Sequence, residues 1–578
     1  MPGRAERVSP VGRKGESPNP RQDPFFGLLI VFLFVVVGVA SATIPTKIGK
    51  EIMIASDHKL AGKAGLIIHE KGGNIIDVAV AASFAISVVK PYSTGIGGGG
   101  FLLYYDADSQ KTHAFDFRER APRKVTRTIY LHQGKPIPES HLGPRAVAVP
   151  GVVAGLVEIH QRFGRLPLAI VMEPAIHLAD EGFLVYPDFQ RMIEKKKKWI
   201  EKDPALKDVL MPNGKVPRVG ELFLQKDLAQ TLCFIANEGA RPFYEGVIAR
   251  KIDSWMRQQG GLMNLQDLQH YRVKEREPVS GEYRGYRIVS MSPPSSGGIH
   301  ILQMLKMLEA FPLEQMKPKN PDFLHLLAEV MRRAYRDRAV YLGDPDFFPV
   351  PQKRLLSPDY IQKQSASIDL TKATDSQEIP LSPIESHGTT HLSIVDRAGN
   401  AVATTQTINT GFGALVMVPG TGIILNNEMD DFSIAPGVPN QYGLVGSEAN
   451  AIAPGKTPLS SMSPTLVFKE GHVVLAAGAQ GGSHIITGVL QMLLQYFDFR
   501  RPIGQAVAAP RIHHQFLPDE ILLEKKLSTP KILSSLKKKG HSLDPWEDHG
   551  ANVNVVVSQG GQLTGVTDPR GTGKPVGQ

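Results

Sequence analysis

The sequence predicts an α/β fold of four stacked layers, α-β-β-α, with strands supplied by both halves of the chain. Three observations predict it. Helical periodicity dominates the early body of the chain, and period-two alternation dominates after residue 389. Strand patterns near 101–105, 113–117 and 286–290 precede that point, so the two halves share one sheet system rather than forming separate domains. One strand opens on a hydroxyl, Thr389, directly after a polar stretch over 352–388 that shows little periodicity. No internal repeat is present.

Each element follows in order. The first 24 residues carry Arg4, Arg7, Arg13, Lys14 and Arg21; residues 25–39 are apolar except for glycines, and Ala40-Ser41-Ala42 follows. A basic leader, an apolar run and a small-x-small site read as a secretory signal. The run is short for a membrane span, which needs ~20 residues. The long basic leader keeps a second reading open, an uncleaved anchor at residues 25–42 with its basic side in the cytoplasm. Both readings export the body beyond residue 43, to the periplasm or the extracellular space. Helical patterns then cover 60–71 and 75–89, divided by Gly72-Gly73. The run Gly95-Ile96-Gly97-Gly98-Gly99-Gly100 leads into a strand and lacks a following Gly-Lys-Ser/Thr. It therefore reads as close backbone packing, not as a phosphate loop. Residues 150–280 read as mainly helical. A strand over 286–290 runs through Pro293-Pro294-Ser295-Ser296-Gly297-Gly298 into a helix near 299–308, and a further helical pattern spans 323–341. The stretch 352–388 reads as a mobile tether. After it come strands over 390–396 and 401–408, a strand at 422–425, and a hairpin from 465–469 and 473–477. A helix over 484–498 and strands near 521–524 and 552–557 complete the chain.

Composition excludes several classes. With 42% hydrophobic and 21% charged residues, the 578-residue chain is an ordinary globular protein. Its net charge of +9 is dispersed, and the densest run, Lys195 to Lys198, reads as the solvated face of a helix. No nucleic-acid motif accompanies it. The single cysteine, Cys233, excludes a disulfide framework and a multi-cysteine metal site, and its apolar neighbours read it as a buried small hydrophobe.

The chemistry-bearing residues cluster after residue 388. A threonine hydroxyl is a weak nucleophile and needs a base; a free α-amine on the same residue is one solution. For Thr389 that amine exists only if the Gly388–Thr389 bond is cut. Its pKa of ~7.7–8 leaves a useful neutral fraction. Gly481-Gly482 precedes the helix at 484–498, where backbone N–H groups favour negative charge; an oxyanion site and a plain helix-start turn both fit. Glu428 with Asp430-Asp431 suits an ammonium group. No histidine stands at ligand spacing, so the trio does not read as a metal site, and nothing calls for a cofactor. Arg118, at a strand end, reads either as a bidentate carboxylate grip or as a structural ion pair.

These residues lie in stretches that resemble the γ-glutamyltranspeptidase (glutathione hydrolase) family of bacterial type, within the N-terminal nucleophile hydrolases. The matching stretches are GNIIDVAVAASFA, GIGGGGFLL, DFRERAP, MSPPSSGGIH, RRAYRDRA, TTHLSIVD, TQTINTGFG, NNEMDDFS, PLSSMSP and GAQGGSHIIT, from about residue 52 onward. The resemblance implies a four-layer sandwich built from both halves of a self-cleaved precursor. Residues 1–42 would be the signal or anchor, 43–388 a large subunit and 389–578 a small catalytic subunit, associated as a heterodimer. It implies Thr389 as nucleophile with its own amine as base, and Thr407 as its positioning partner. Arg118, Ser460 and Ser461 would hold the substrate's α-carboxylate. Asn409, Glu428 and Asp431 would hold its α-amino group, and Gly481 and Gly482 would form the oxyanion hole. Glu428 stands where many bacterial members carry Gln. Residues 436–458, with Tyr442, resemble a lid loop. The implied substrates are glutathione and other γ-glutamyl compounds, with an amino acid, a dipeptide or water as acceptor.

Two alternatives accompany this expectation. A cephalosporin acylase acting on glutaryl amides shares the fold, but it has no use for an ammonium site. A catalytically silent, membrane-anchored relative would have no use for Thr389, Thr407 and the glycine pair.

Overall fold

The computed structural model describes residues 44–376, 388–435, 438, 444–546 and 550–578. The proposed signal or anchor, residues 386 and 387 before the Gly388–Thr389 bond, and Tyr442 lie outside the described residues. Two seven-stranded sheets form the centre. One runs Thr46–Gly49, Gln562–Thr567, Asn552–Gln559, His472–Gln480, Thr465–Lys469, Tyr286–Ser290, Val279–Tyr283. The other runs Val576–Gly577, Ile52–Ser56, Thr389–Asp396, Ala401–Thr407, Gly99–Asp106, Lys111–Asp116, Lys274–Arg276. Every neighbouring pair in both sheets is antiparallel. Each sheet draws strands from both sides of Gly388, as the sequence predicts.

The strands alternate between two cores. Ile52, Ile54, Leu102, Leu392, Ile394 and Val402 join one core with the helices Lys59–Glu70, Ile75–Val89, Val152–Phe163 and Leu168–Asp180. Met53, Ala55, Phe101, Leu103, Val395, Ala401 and Ala403 face the other, with the second sheet and the helices Gly297–Leu308, Pro321–Tyr341 and His484–Phe497. Covering both faces explains why these strands are apolar at nearly every position. Helix Ile75–Val89 is buried along its whole length, and Asn74 and Asp77 close its N-terminus as a capping box. Between the sheets, His391 sits beneath Gly478, whose missing side chain leaves room for the ring. Its Nδ1 lies 2.8 Å from Thr405 Oγ1 and its Nε2 2.9 Å from Ser393 Oγ. Burial pushes its pKa down to about 3, so the ring stays neutral.

Two sequence expectations are corrected. The stretch 352–388 is not a uniform tether: Gln352–Leu355 and Pro358–Ala366 are helical, with Leu355, Ile361 and Ser365 buried. Short helices with so few buried residues leave no periodic trace. The stretch up to Ser376 is also pinned. Thr374 Oγ1 donates to Glu329 at 2.5 Å, Arg333 Nη2 to the Ser367 carbonyl at 2.7 Å, and Ser376 N to Asp519 at 2.7 Å. Cys233 is half-buried rather than buried. The lysine run falls on helix Pro187–Ile200, with Lys195, Lys197 and Lys198 exposed.

The glycine run acts by close approach. A Cβ on Gly98 would stand 2.0 Å from the Thr407 carbonyl oxygen, and backbone atoms cannot give way there. Gly98→Ala should therefore displace Thr407 or destabilise the fold by ~1–3 kcal/mol, as overpacking does. Denaturant unfolding checks this; a midpoint equal to wild type would contradict the close packing.

Candidate active site

Strand pairing builds the centre of the site. Thr389 opens its strand and pairs with Thr407, the last residue of Ala401–Thr407. Their side-chain oxygens lie 3.3 Å apart, and both residues are buried. Thr407 Oγ1 also donates to the Gly388 carbonyl and accepts from Asn409 N at 2.8 Å. With its own proton directed at Gly388, Thr407 can only accept from Thr389. One hydroxyl thus draws on the Thr389 proton and polarises the adjoining carbonyl. Asn409 turns the chain away at φ 73°, a left-handed conformation that asparagine tolerates. Its Nδ2 donates to the Asn427 carbonyl at 3.1 Å.

The strand start is held from below by a residue that sequence reasoning missed. Asp57 Oδ2 accepts from Thr390 Oγ1 and from His391 N, both at 2.9 Å, and its Oδ1 accepts from Asn554 Nδ2 at 2.8 Å. Lys90 lies 3.8 Å from the same carboxylate and donates to Gln480 Oε1 at 2.6 Å. Gln480 leads into Gly481 and Gly482, at φ 130° and 56°. Such values favour glycine, and the helix His484–Phe497 starts directly after them.

A narrow cavity gathers Arg118, Arg338, Thr389, Thr407, Asn409, Glu428, Asp431, Ser460, Ser461 and Gly482. Of the expected site residues with described positions, Gly388 and Gly481 stand apart. They line a second cavity with Asp57 and Lys90.

Arg118 is almost wholly buried and lies 2.5 Å from both Glu428 and Asp431. Its Nε donates to the Pro458 carbonyl at 3.0 Å. Burial opposes its charge, but Glu428, Asp431 and Glu119 outweigh that and raise its pKa. Burial likewise raises Glu428 well above the ordinary carboxylate range, against the pull of Arg118. Glu119 is raised by burial in the same way. Among the described residues, no hydrogen-bond donor reaches either Glu119 oxygen or Glu428 Oε2. A proton shared within the carboxyl pair, or a cationic group arriving from outside, satisfies them. The cationic and anionic residues that the sequence separates into two clamps are thus ion-paired to each other.

The serine pair is fixed by the Pro293–Ser296 loop. Ser460 N donates to the Pro294 carbonyl at 2.8 Å, and the Ser460 carbonyl accepts from Ser296 N and Oγ at 2.8 and 2.7 Å. Arg338 is the charged residue lining this cavity to which the sequence analysis gives no role. It stands in the RRAYRDRA stretch, whose helical pattern gives no sign of which arginine faces the cavity.

The stacked sheets and a strand-initial threonine facing a second hydroxyl define an N-terminal nucleophile hydrolase. More narrowly, residues 61–578 match the gamma-glutamyltranspeptidase family, and the chain belongs to it. It is 43% identical over 527 residues to the glutathione hydrolase proenzyme of Escherichia coli K12, covering 90% of each chain. It is 38% identical over 539 residues to the acylase ACY 1 proenzyme of Pseudomonas sp. SE83, covering 91% of this chain and 94% of that one. Among solved structures, the cephalosporin acylase of Bacillus halodurans superposes with a TM-score of 0.81 at 29% identity, covering 92% of this chain and 97% of that chain. The γ-glutamyltranspeptidase of Helicobacter pylori gives 0.55 at 39% identity, covering 58% and 95%.

The buried ion pairs yield a stability prediction. Glu428→Ala removes one partner of a buried arginine and should cost ~3–5 kcal/mol. Glu428→Gln keeps an acceptor for Arg118 and mimics the protonated acid, so it should cost less than half as much. Urea titrations of both variants test this; equal losses would show that the Arg118 contact contributes little.

Proposed function

We propose that the protein is an exported, self-processing γ-glutamyltransferase and glutathione hydrolase. The observation that carries this reading is Thr389 Oγ1 at 3.3 Å from Thr407 Oγ1, with Thr407 bonded to the Gly388 carbonyl, in one cavity with Arg118, Glu428 and Asp431. That arrangement joins a nucleophile, a polarised carbonyl and charges of both signs.

Processing starts with attack of Thr389 Oγ on the Gly388 carbonyl carbon. The C–O bond forms, the C–N bond to Thr389 breaks, and the hydroxyl proton passes to the departing nitrogen. Water then cleaves the ester, leaving a carboxylate on Gly388 and a free α-amine on Thr389. The products are a large subunit of about 43–388 and a small subunit, 389–578. Continuous pairing of Ile52–Ser56 and Gly99–Asp106 with the two strands after residue 388 keeps them associated as a heterodimer. Residues 1–42 direct export by their basic leader and apolar run. No helix among the described residues is long and apolar enough to cross a membrane.

In turnover, the new amine takes the Thr389 hydroxyl proton while the oxygen attacks the γ-amide carbon of glutathione or a related compound. N–H groups of Gly481 and Gly482 stabilise the oxyanion. The leaving amine departs with a proton, and water or the amine of an amino acid or dipeptide resolves the γ-glutamyl ester. Arg118, Ser460 and Ser461 hold the α-carboxylate, and Asn409, Glu428 and Asp431 hold the α-ammonium. Ordinary peptides lack both free groups and would leave buried charges unpaired, at a cost of several kcal/mol.

Two outcomes test the reading. Thr389→Ala should remain one uncut chain with no γ-glutamyl turnover. An intact-mass spectrum checks this, and fragments ending at 388 and starting at 389 would remove Thr389 as the nucleophile. Asp431→Asn should cut kcat/KM for γ-glutamyl amides by about a hundredfold or more, from the loss of one partner of a buried pair. Glutaryl amides lack the ammonium and should lose far less. Equal losses would favour a structural role for Asp431 and the acylase alternative.

A further inference from the structure

Two adjacent glycines, Gly481 and Gly482, make a turn that only its neighbours can hold still. Both take positive φ, 130° and 56°, and glycine has more backbone freedom to lose than any other residue. Gly482 lines the cavity with Thr389, and Gly481 lines the second cavity with Gly388. The pair follows the strand His472–Gln480 of one sheet, while Thr389 opens a strand of the other. Strand pairing fixes register within a sheet. The spacing between the Thr389 hydroxyl and the glycine pair depends instead on contacts that cross between the sheets.

Lys90 makes such a contact. It follows the helix Ile75–Val89 and is only 2% exposed. Its Nζ donates to Gln480 Oε1 at 2.6 Å, one residue before Gly481. The same Nζ lies 3.8 Å from Asp57 Oδ2, too far for a hydrogen bond. Asp57 is served without it, by Thr390, His391 and Asn554. Loss of the Lys90 amino group would therefore release Gln480 and leave the start of the nucleophile strand anchored. Burial lowers the pKa of Lys90, and Asp57 and Asp188 oppose that; charged or neutral, the amino group donates to Gln480. The loop after Lys90 also reaches the exit of the partner strand, where the Ser93 carbonyl accepts from Ile408 N at 3.3 Å, next to Thr407. One loop thus touches the nucleophile side through its backbone and the glycine turn through the Lys90 side chain.

We propose that Lys90 is a positioning residue for the oxyanion-binding turn: by holding Gln480 it sets Gly481 and Gly482 where their N–H groups meet the oxyanion formed on attack by Thr389. This rests on the reading of Thr389 as an acyl-transfer nucleophile, whichever acyl group it takes. Self-cleavage draws on Lys90 much less, because Thr407, on the paired strand, donates to the Gly388 carbonyl.

The test uses full-length protein with a γ-glutamyl anilide and a glutaryl anilide. For whichever anilide wild type turns over, Lys90→Met should lower kcat by about tenfold to a hundredfold, the range for a misplaced oxyanion donor, with KM within about threefold. The rate of self-cleavage, followed as loss of the uncut chain, should also stay within about threefold. Gln480→Met leaves Lys90 beside Asp57 and removes only the acceptor, so it carries the same test if Lys90→Met fails to fold. Gln480→Glu restores an acceptor oxygen and should keep kcat within about threefold of wild type. The double variant should lose no more than the worse single one, because the two residues act in series. The proposal is overturned if kcat stays within about threefold in Lys90→Met or Gln480→Met, or if KM rises in its place. It is equally overturned if self-cleavage slows as much as turnover, if Gln480→Glu loses as much as Gln480→Met, or if the losses multiply. A wild type that turns over only the glutaryl anilide ends the γ-glutamyl reading, and Lys90 is then judged on that donor. A wild type that turns over neither overturns both.

Discussion

The antiparallel register that sets Thr389 opposite Thr407 is the constraint on which the site depends. A one-residue slip would turn every side chain of that strand to the other face and carry the threonine hydroxyl away from its partner. The register is held by burial on both faces: Leu392 and Ile394 belong to one core and Val395 to the other. Asp57 anchors the strand at Thr390 and His391, next to Thr389. Gly98 allows the neighbouring backbone to approach the Thr407 carbonyl. Positioning is thus inherited from the sheet, not from a flexible loop.

The second organising feature is concentrated charge with little water. Arg118, Glu428 and Glu119 are essentially fully buried, and Asp431 is only slightly exposed. Such a cluster stays folded only because its members answer one another, and removing one leaves the others uncompensated. The cost of assembling it makes sense in a site that must exchange internal ion pairs for a substrate carrying both a carboxylate and an ammonium.

Family membership and fold leave the substrate class to local chemistry. A cephalosporin acylase shares the architecture over most of both chains. A glutaryl side chain carries a carboxylate but no α-ammonium. Glu428 Oε2, buried with no hydrogen-bond donor among the described residues, is therefore the kind of group that separates the two classes.

Local sequence signals were enough for the layered α/β architecture, the strand-initial Thr389, the Ile75–Val89 helix and the Gly481-Gly482 turn, because periodicity, glycine placement and helix starts are written in neighbouring residues. Family motifs added Thr407, Asn409 and the serine pair, and gave Arg118, Glu428 and Asp431, already singled out by residue type, their expected places in the site. Tertiary structure alone decided three things. It paired Arg118 with Glu428 and Asp431, more than 300 positions away in the chain, where no spacing rule operates. It ordered 352–376 through short helices and charge-assisted bonds too sparse to show a period. And it turned Arg338, one of several arginines on a long helix, into the cavity, since which face of a helix meets a site depends on what packs against it.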